Sequence, residues 1–213
     1  MSQSSSWDKG GTAVDEATYQ QVLADAIEAL EEAGVRHVVV GGLASSLYGR
    51  PRMTKDIDVM VRPQDARAAL EALSHHGFET KEEDPAWLYK GRKHGVIVDI
   101  IFKSSGDVYV DEEMLDRATD RVIGNSKIKV VAAEDLLVMK ALAHEEGISY
   151  QWYDALGIIA KRDLDWEYVI RRAAHGPRRV LSLLLYAQSV DLAVPHSVIG
   201  AMFNNIYGED APG

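Results

Sequence analysis

The spacing of apolar positions changes period several times along the chain, and the changes mark out the elements. From Thr18 to Ala33, Tyr19, Val22, Leu23, Ala26, Ile27 and Leu30 recur every three or four residues, the spacing of a helix buried on one face. Gly34 supplies its C-terminal stop. "VRHVVV" then reads as a short buried strand running into Gly41-Gly42, a short helix, a basic loop and a second strand, with the whole motif spanning Val38 to Val61. Pro63 opens a further helix that closes at Gly77. Phe78 to Phe102 reads as strands, with "AWLYKG" and "GVIVDIIF" flanking a turn at "RKH" in an antiparallel hairpin. "DEEMLDRATDRV" reads as a short polar helix and "KIKVVA" as another strand. Beyond about Ala133 helical segments follow one another, separated by Gly, Pro or Asp. The pattern predicts an α+β fold: a mixed β-sheet with flanking helices, followed by a C-terminal helical bundle. The expected divisions are a flexible Ser- and Gly-rich segment at 1–16, an α/β core at 17–125 and a helical domain at 126–213.

Composition narrows the chemistry. The chain of 213 residues has no cysteine, which removes disulfides, thiolate metal sites and a cysteine nucleophile, and fits a cytoplasmic protein. A net charge of −10 argues against general coating of nucleic acid, though not against a local basic groove. The start lacks the basic and apolar regions of a signal peptide, and no apolar run is long enough for a membrane span. The histidines lack metal-ligand spacing, and His75-His76 suit a helix C-terminus. Arg171-Arg172 and Arg178-Arg179 read as a solvated face, or as a groove for a phosphate-bearing acceptor if they line a cleft.

Three carboxylates stand out. Asp56 and Asp58 alternate with Ile57, Val59 and Val61 on one strand, so both project from the face opposite the apolar one. Side by side they repel, an arrangement that a divalent cation relieves. In "GVIVDIIF", Val96, Val98, Ile100 and Phe102 share one face and Asp99 shares the other with Ile97 and Ile101. Burying such a carboxylate unpaired is expensive, so it must meet a cation, a donor or water. Upstream, Gly41-Gly42 lets the backbone approach a ligand, and the following helix offers free N–H groups to a phosphate.

The segment "GGLASSLYGRPRMTKDIDVMV" with the later Asp99 resembles the nucleotidyltransferase superfamily typified by DNA polymerase β. It looks most like the minimal AbiEii-type enzymes, the toxin halves of toxin–antitoxin pairs. "AEDLLVMKALA" is similar to that group's third motif, which places a triphosphate lysine at Lys140. Asp154 falls where the group often carries an acidic residue, but the basic residue expected just before it is missing.

The resemblance implies transfer of an NMP from an NTP such as ATP to an acceptor hydroxyl. Asp56, Asp58 and Asp99 would be both catalytic residues and ligands of two Mg²⁺ ions, with Mn²⁺ an alternative. Asp99 would activate the acceptor hydroxyl through the metal or take its proton directly. Gly41, Gly42 and either Ser45 or Ser46 would hold the β- and γ-phosphates, and Lys140 would add a charge to the leaving pyrophosphate. Arg52 would pair with phosphate or an acidic acceptor, or else bridge to Asp56, and Thr54 would shape the loop. The acceptor could be a tRNA 3′ end, a protein side chain, or an aminoglycoside or lincosamide antibiotic. An antitoxin protein is the implied partner of a toxin, and a silent nucleotide-binding module on the same fold is the remaining alternative.

Overall fold

The computed structural model describes residues 14–52, 54–145 and 150–208, so most of the Ser- and Gly-rich N-terminal segment lies outside the described residues. The first helix, α1 (Glu16–Glu32), starts where the Asp15 side chain accepts a hydrogen bond from Thr18 N–H at 2.9 Å. It buries Val22, Leu23, Ala26, Ile27 and Leu30. Next come β1 (His37–Val39), α2 (Gly41–Tyr48) and β2 (Asp56–Val61). A single 3₁₀ turn, Pro63–Asp65, leads into α3 (Ala66–His75). Three strands follow, β3 (Glu79–Asp84), β4 (Leu88–Lys93) and β5 (Val96–Ile101), and then the short α4 (Glu112–Arg117). A hairpin of β6 (Thr119–Ile123) and β7 (Ser126–Val130) completes the sheet.

Among the described residues the sheet has seven strands in the order β3-β4-β5-β2-β1-β7-β6. The β2/β5 and β1/β7 pairs are parallel and the rest antiparallel, the mixed sheet expected of an α+β chain. The helical half comprises α5 (Ala133–Leu142), α6 (Tyr150–Lys161), α7 (Trp166–Arg172) with a short 3₁₀ extension, α8 (Pro177–Ser189) and α9 (His196–Tyr207). No helix among the described residues is long and apolar enough to cross a membrane.

Three local differences from the sequence reading have physical causes. The segment Thr119–Ile123 is an edge strand, whereas the sequence suggested a helix running through it. Gly124, at φ +57°, and Asn125 form a two-residue turn that pairs Ile123 with Ser126, and the β-branched Thr119, Val122 and Ile123 suit the pleat. The β4–β5 turn lies at His94–Gly95, both with positive φ, rather than at "RKH"; Arg92 and Lys93 continue the strand. Arg172 is buried instead of solvated. Its guanidinium bridges Asp111, at the N-cap of α4, and Asp135 on α5, whose other oxygen accepts from the Tyr168 hydroxyl at 2.8 Å. That network ties the helical half to the segment between β5 and α4. Burial, working against the Arg172 charge and the Tyr168 hydrogen bond, pushes the Asp135 carboxyl up to about 6.

Candidate active site

The site begins with the pleat of β2. Ile57, Val59 and Val61 face the core and are fully buried. Burying each contributes about 2 kcal/mol. Two carboxylates roughly 6 Å apart near a protein surface repel by about 3 kcal/mol or less. The apolar face therefore outweighs the repulsion, and the strand forms with Asp56 and Asp58 together on its other face. Farther along that same face Met60 is fully buried, so the carboxylates stand at its open end.

Parallel pairing of β2 with β5 sets Asp58 directly opposite Asp99. Strands lie about 4.8 Å apart, and in-register residues project to one face, so the two carboxylates are neighbours. On the other side of β5, antiparallel pairing sets Lys90 opposite Asp99, and its Nζ donates to Asp99 Oδ1 at 2.7 Å. Burial pushes the Asp99 carboxyl up to about 6; the Lys90 ammonium opposes that, and the Asp58 and Asp56 charges add to it. Asp56 is also raised, first by desolvation and then by Asp58. Tyr19 of α1 closes this corner, its hydroxyl 3.3 Å from the Asp56 carbonyl. Its phenol is raised by burial and by the Asp58 and Asp56 charges.

Gly41 and Gly42 open α2 against the Asp58 side chain. Gly42 N–H donates to Asp58 Oδ2 at 3.3 Å. Gly41 has φ +63°, and a Cβ there would lie 1.9 Å from Asp58 Oδ2. Glycine is thus required twice at this position, by the left-handed backbone and by the carboxylate it abuts. Gly41→Ala is expected to displace the Asp58 side chain and to depress the melting temperature by several degrees; a thermal melt checks it. A Cβ on Gly42 would meet Thr54 Oγ1 at 2.7 Å and an Arg52 nitrogen at 3.2 Å, so the loop packs closely on the start of α2. Thr54 Oγ1 itself donates to the Asp56 carbonyl at 3.1 Å. Ser45 is fully buried and its hydroxyl donates to Gly41 O at 2.7 Å, while the less buried Ser46 donates to Leu43 O at 2.7 Å.

The helical half contributes a second cluster. α2 and α6 meet at Gly49 and Gly157, where a Cβ on Gly49 would lie 2.7 Å from the Gly157 carbonyl carbon. Asp154 precedes Gly157 by three residues, on the same face of α6. The close approach brings Asp154 to Arg52, which grips it with two hydrogen bonds of 3.2 and 3.0 Å. Lys140 of α5 reaches the same carboxylate at 3.0 Å and donates to Gln151 at 2.8 Å. Burial alone would raise the Asp154 carboxyl, but the Arg52 hydrogen bonds and the Lys140 charge hold it below the usual carboxylate range. Arg52 thus bridges to Asp154, and no contact joins it to Asp56 among the described residues. The basic partners of Asp154 thus come from other segments, the α2–β2 loop and α5, and not from the residues just before it. On the outer surface of α6, Arg50 lies over the Tyr153 ring at 3.7 Å from its centroid.

A divalent cation asks for hard oxygen donors on one face, and three carboxylates are such a set. The Lys90 ammonium on Asp99 already stands where positive charge is wanted. In the geometry described, no three acidic or imidazole side chains among the described residues converge on one point, and Asp99 is paired with Lys90.

A glycine turn thus abuts one of three carboxylates carried on the parallel strands β2 and β5 of the mixed sheet. Residues 19–174 match the family described as "Nucleotidyl transferase of unknown function (DUF2204)", and the chain belongs to that family. No curated protein matches the sequence. Among solved structures, the solution structure of the antibiotic-resistance factor ANT(2'')-Ia superposes with a TM-score of 0.52 at 15% identity, over 83% of this chain and 95% of that one. An antigenic nucleotidyltransferase-like protein from Paracoccidioides brasiliensis gives a TM-score of 0.51 at 15% identity, over 89% and 95% of the two chains. The nucleotidyltransferase toxin MenT4 from Mycobacterium tuberculosis gives 0.42 at 17% identity, over 85% and 70%. At these identities the likeness of the first two is one of fold.

Proposed function

We propose that the chain transfers a nucleotidyl group from an NTP to an acceptor hydroxyl, with two Mg²⁺ ions held by Asp56, Asp58 and Asp99. The observation that carries this reading is the register that sets Asp58 beside Asp99 while Gly41 and Gly42 press against Asp58. When bound, the metal supplies charge neutralisation for the triphosphate and for the reacting α-phosphate. The protein's own groups do the positioning. The N–H groups at the start of α2 would face the phosphates, and Gly42 N–H donates to Asp58. Each serine hydroxyl donates to a backbone carbonyl of α2 at 2.7 Å, and Ser46 is the less buried of the two. Arg52 and Lys140, brought together on Asp154, would present positive charge to the β- and γ-phosphates and to leaving pyrophosphate. Asp99 would activate the acceptor hydroxyl through the metal or take its proton directly.

For the acceptor we favour the toxin reading that the AbiEii-like motifs support: a tRNA 3′ end or a protein hydroxyl, acted on in the cytoplasm and restrained by an antitoxin. An α-³²P-labelled NTP incubated with total tRNA, with a cell extract, and with aminoglycosides and lincosamides separates the classes. Label in tRNA or protein, together with growth arrest on expression, is the expected result. Label in an antibiotic, without growth arrest, would make the protein a resistance enzyme instead.

A further inference from the structure

One charged group in the site has no part in the transfer just described: Lys90. Pairing across four strands puts Lys81, Lys90, Asp99 and Asp58 in a single row, since Lys81 is opposite Lys90, Lys90 opposite Asp99, and Asp99 opposite Asp58. Like charges directly opposite on adjacent strands destabilise a sheet, and this row holds two such pairs, one basic and one acidic. The Lys90–Asp99 contact at their centre relieves both. Lys81 is satisfied separately by Glu83 at 2.6 Å. Lys90 and Asp99 are each less than one-fifth exposed, so their pairing is shielded from solvent on an inner strand pair. The ammonium, 2.7 Å from Asp99 Oδ1, competes with any second cation for that carboxylate.

We propose that Lys90 is a built-in counter-ion that a divalent cation must displace from Asp99, so that Lys90 sets the metal affinity of the site and lets it stay assembled while empty. This rests on the nucleotidyltransferase reading of the three carboxylates. Without the cation, Lys90 offsets the repulsion within the cluster. When the cation binds, Asp99 turns from Lys90 toward Asp56 and Asp58. The free ammonium is left beside β5, facing incoming anionic substrate. Binding is weakened by the cost of breaking the internal pair, which favours loading of metal together with the triphosphate over loading of metal alone.

The test measures Mn²⁺ binding to the nucleotide-free protein by electron paramagnetic resonance, with thermal melts with and without Mn²⁺. Lys90→Met is expected to bind Mn²⁺ about tenfold more tightly than wild type. Its metal-free melting temperature should be lower and its gain in melting temperature on adding Mn²⁺ larger. Lys90→Gln, closer in shape and polarity, carries the same expectation should Lys90→Met fail to fold. In an Asp99→Asn background the substitution at Lys90 should no longer change Mn²⁺ affinity. Equal or weaker Mn²⁺ binding by the Lys90 variants overturns the counter-ion role while leaving the metal site standing. Failure of wild type and variants alike to bind Mn²⁺, with or without NTP, overturns instead the reading of the three carboxylates as metal ligands.

Discussion

Asp58→Asn is expected to lower nucleotidyl transfer by about 1,000-fold or more while leaving the protein folded, and a transfer assay run beside a thermal melt checks both. Asparagine keeps an oxygen for the Gly42 N–H, which donates to Asp58 at 3.3 Å, and it keeps the volume against which Gly41 packs. What it removes is the charge. A factor of 1,000 corresponds to about 4 kcal/mol, the scale of transition-state stabilisation that a carboxylate-held metal supplies. The same change removes one of three mutually repelling charges, two of which already push Asp99 upward. The melting temperature of the metal-free variant should therefore be unchanged or slightly higher. Loss of activity with unchanged or higher stability is the signature of a residue retained for chemistry and not for the fold.

The second large effect is one of stability. Asp154→Ala should cost about 3–5 kcal/mol, the usual cost of removing one partner from a buried ion pair. Asp154 is 2% exposed and Lys140 6% exposed, so the ammonium left behind has little water to turn to. Arg52, more than a third exposed, can be solvated and adds little to that cost. For a chain of this size the change corresponds to a fall of about 10 °C in melting temperature. Lys140→Met paired with Asp154→Leu should recover much of the stability but none of the nucleotide affinity, separating the two roles of the cluster. The pH dependence follows from the direction of the Asp154 shift. Its folded carboxyl lies below the unfolded value, so the native state binds fewer protons there. Its contribution is complete above the ordinary carboxylate range and is lost as pH falls through and below it. The wild-type advantage over Asp154→Ala in chemical denaturation should accordingly shrink between about pH 5 and pH 2.

The sequence carried the frame of the molecule well where a single period dominates. Leu23, Ile27 and Leu30 on α1, and Val96, Val98 and Ile100 on β5, could point only one way, and Asp99 was conspicuous because it broke an apolar run. Lys90 was illegible for a specific reason. Placing the hairpin turn at "RKH" shifts the register and sets Asp99 opposite Trp87; the two-residue turn at His94–Gly95 sets it opposite Lys90. A misplaced turn moves every cross-strand partner. Asp154 failed differently. Its partners are Arg52, 102 residues away, which it meets beside the point where Gly49 and Gly157 let α2 and α6 touch, and Lys140 on α5. No local pattern encodes that contact. Arg172 looked like surface because it sits in a polar stretch; the Asp111 and Asp135 carboxylates that bury it belong to other helices.

The central claim is transfer of a nucleotidyl group at the Asp56–Asp58–Asp99 cluster, and the fate of the two ends of an NTP tests it most directly. Wild-type protein with Mg²⁺ and a cell extract as acceptor should attach label from α-³²P NTP, release an equal amount of pyrophosphate, and attach none from γ-³²P NTP. Asp56→Asn, Asp58→Asn and Asp99→Asn should each abolish the α-label. Label attached from the γ-position, orthophosphate as the leaving product, or α-label that survives loss of these carboxylates would contradict the account.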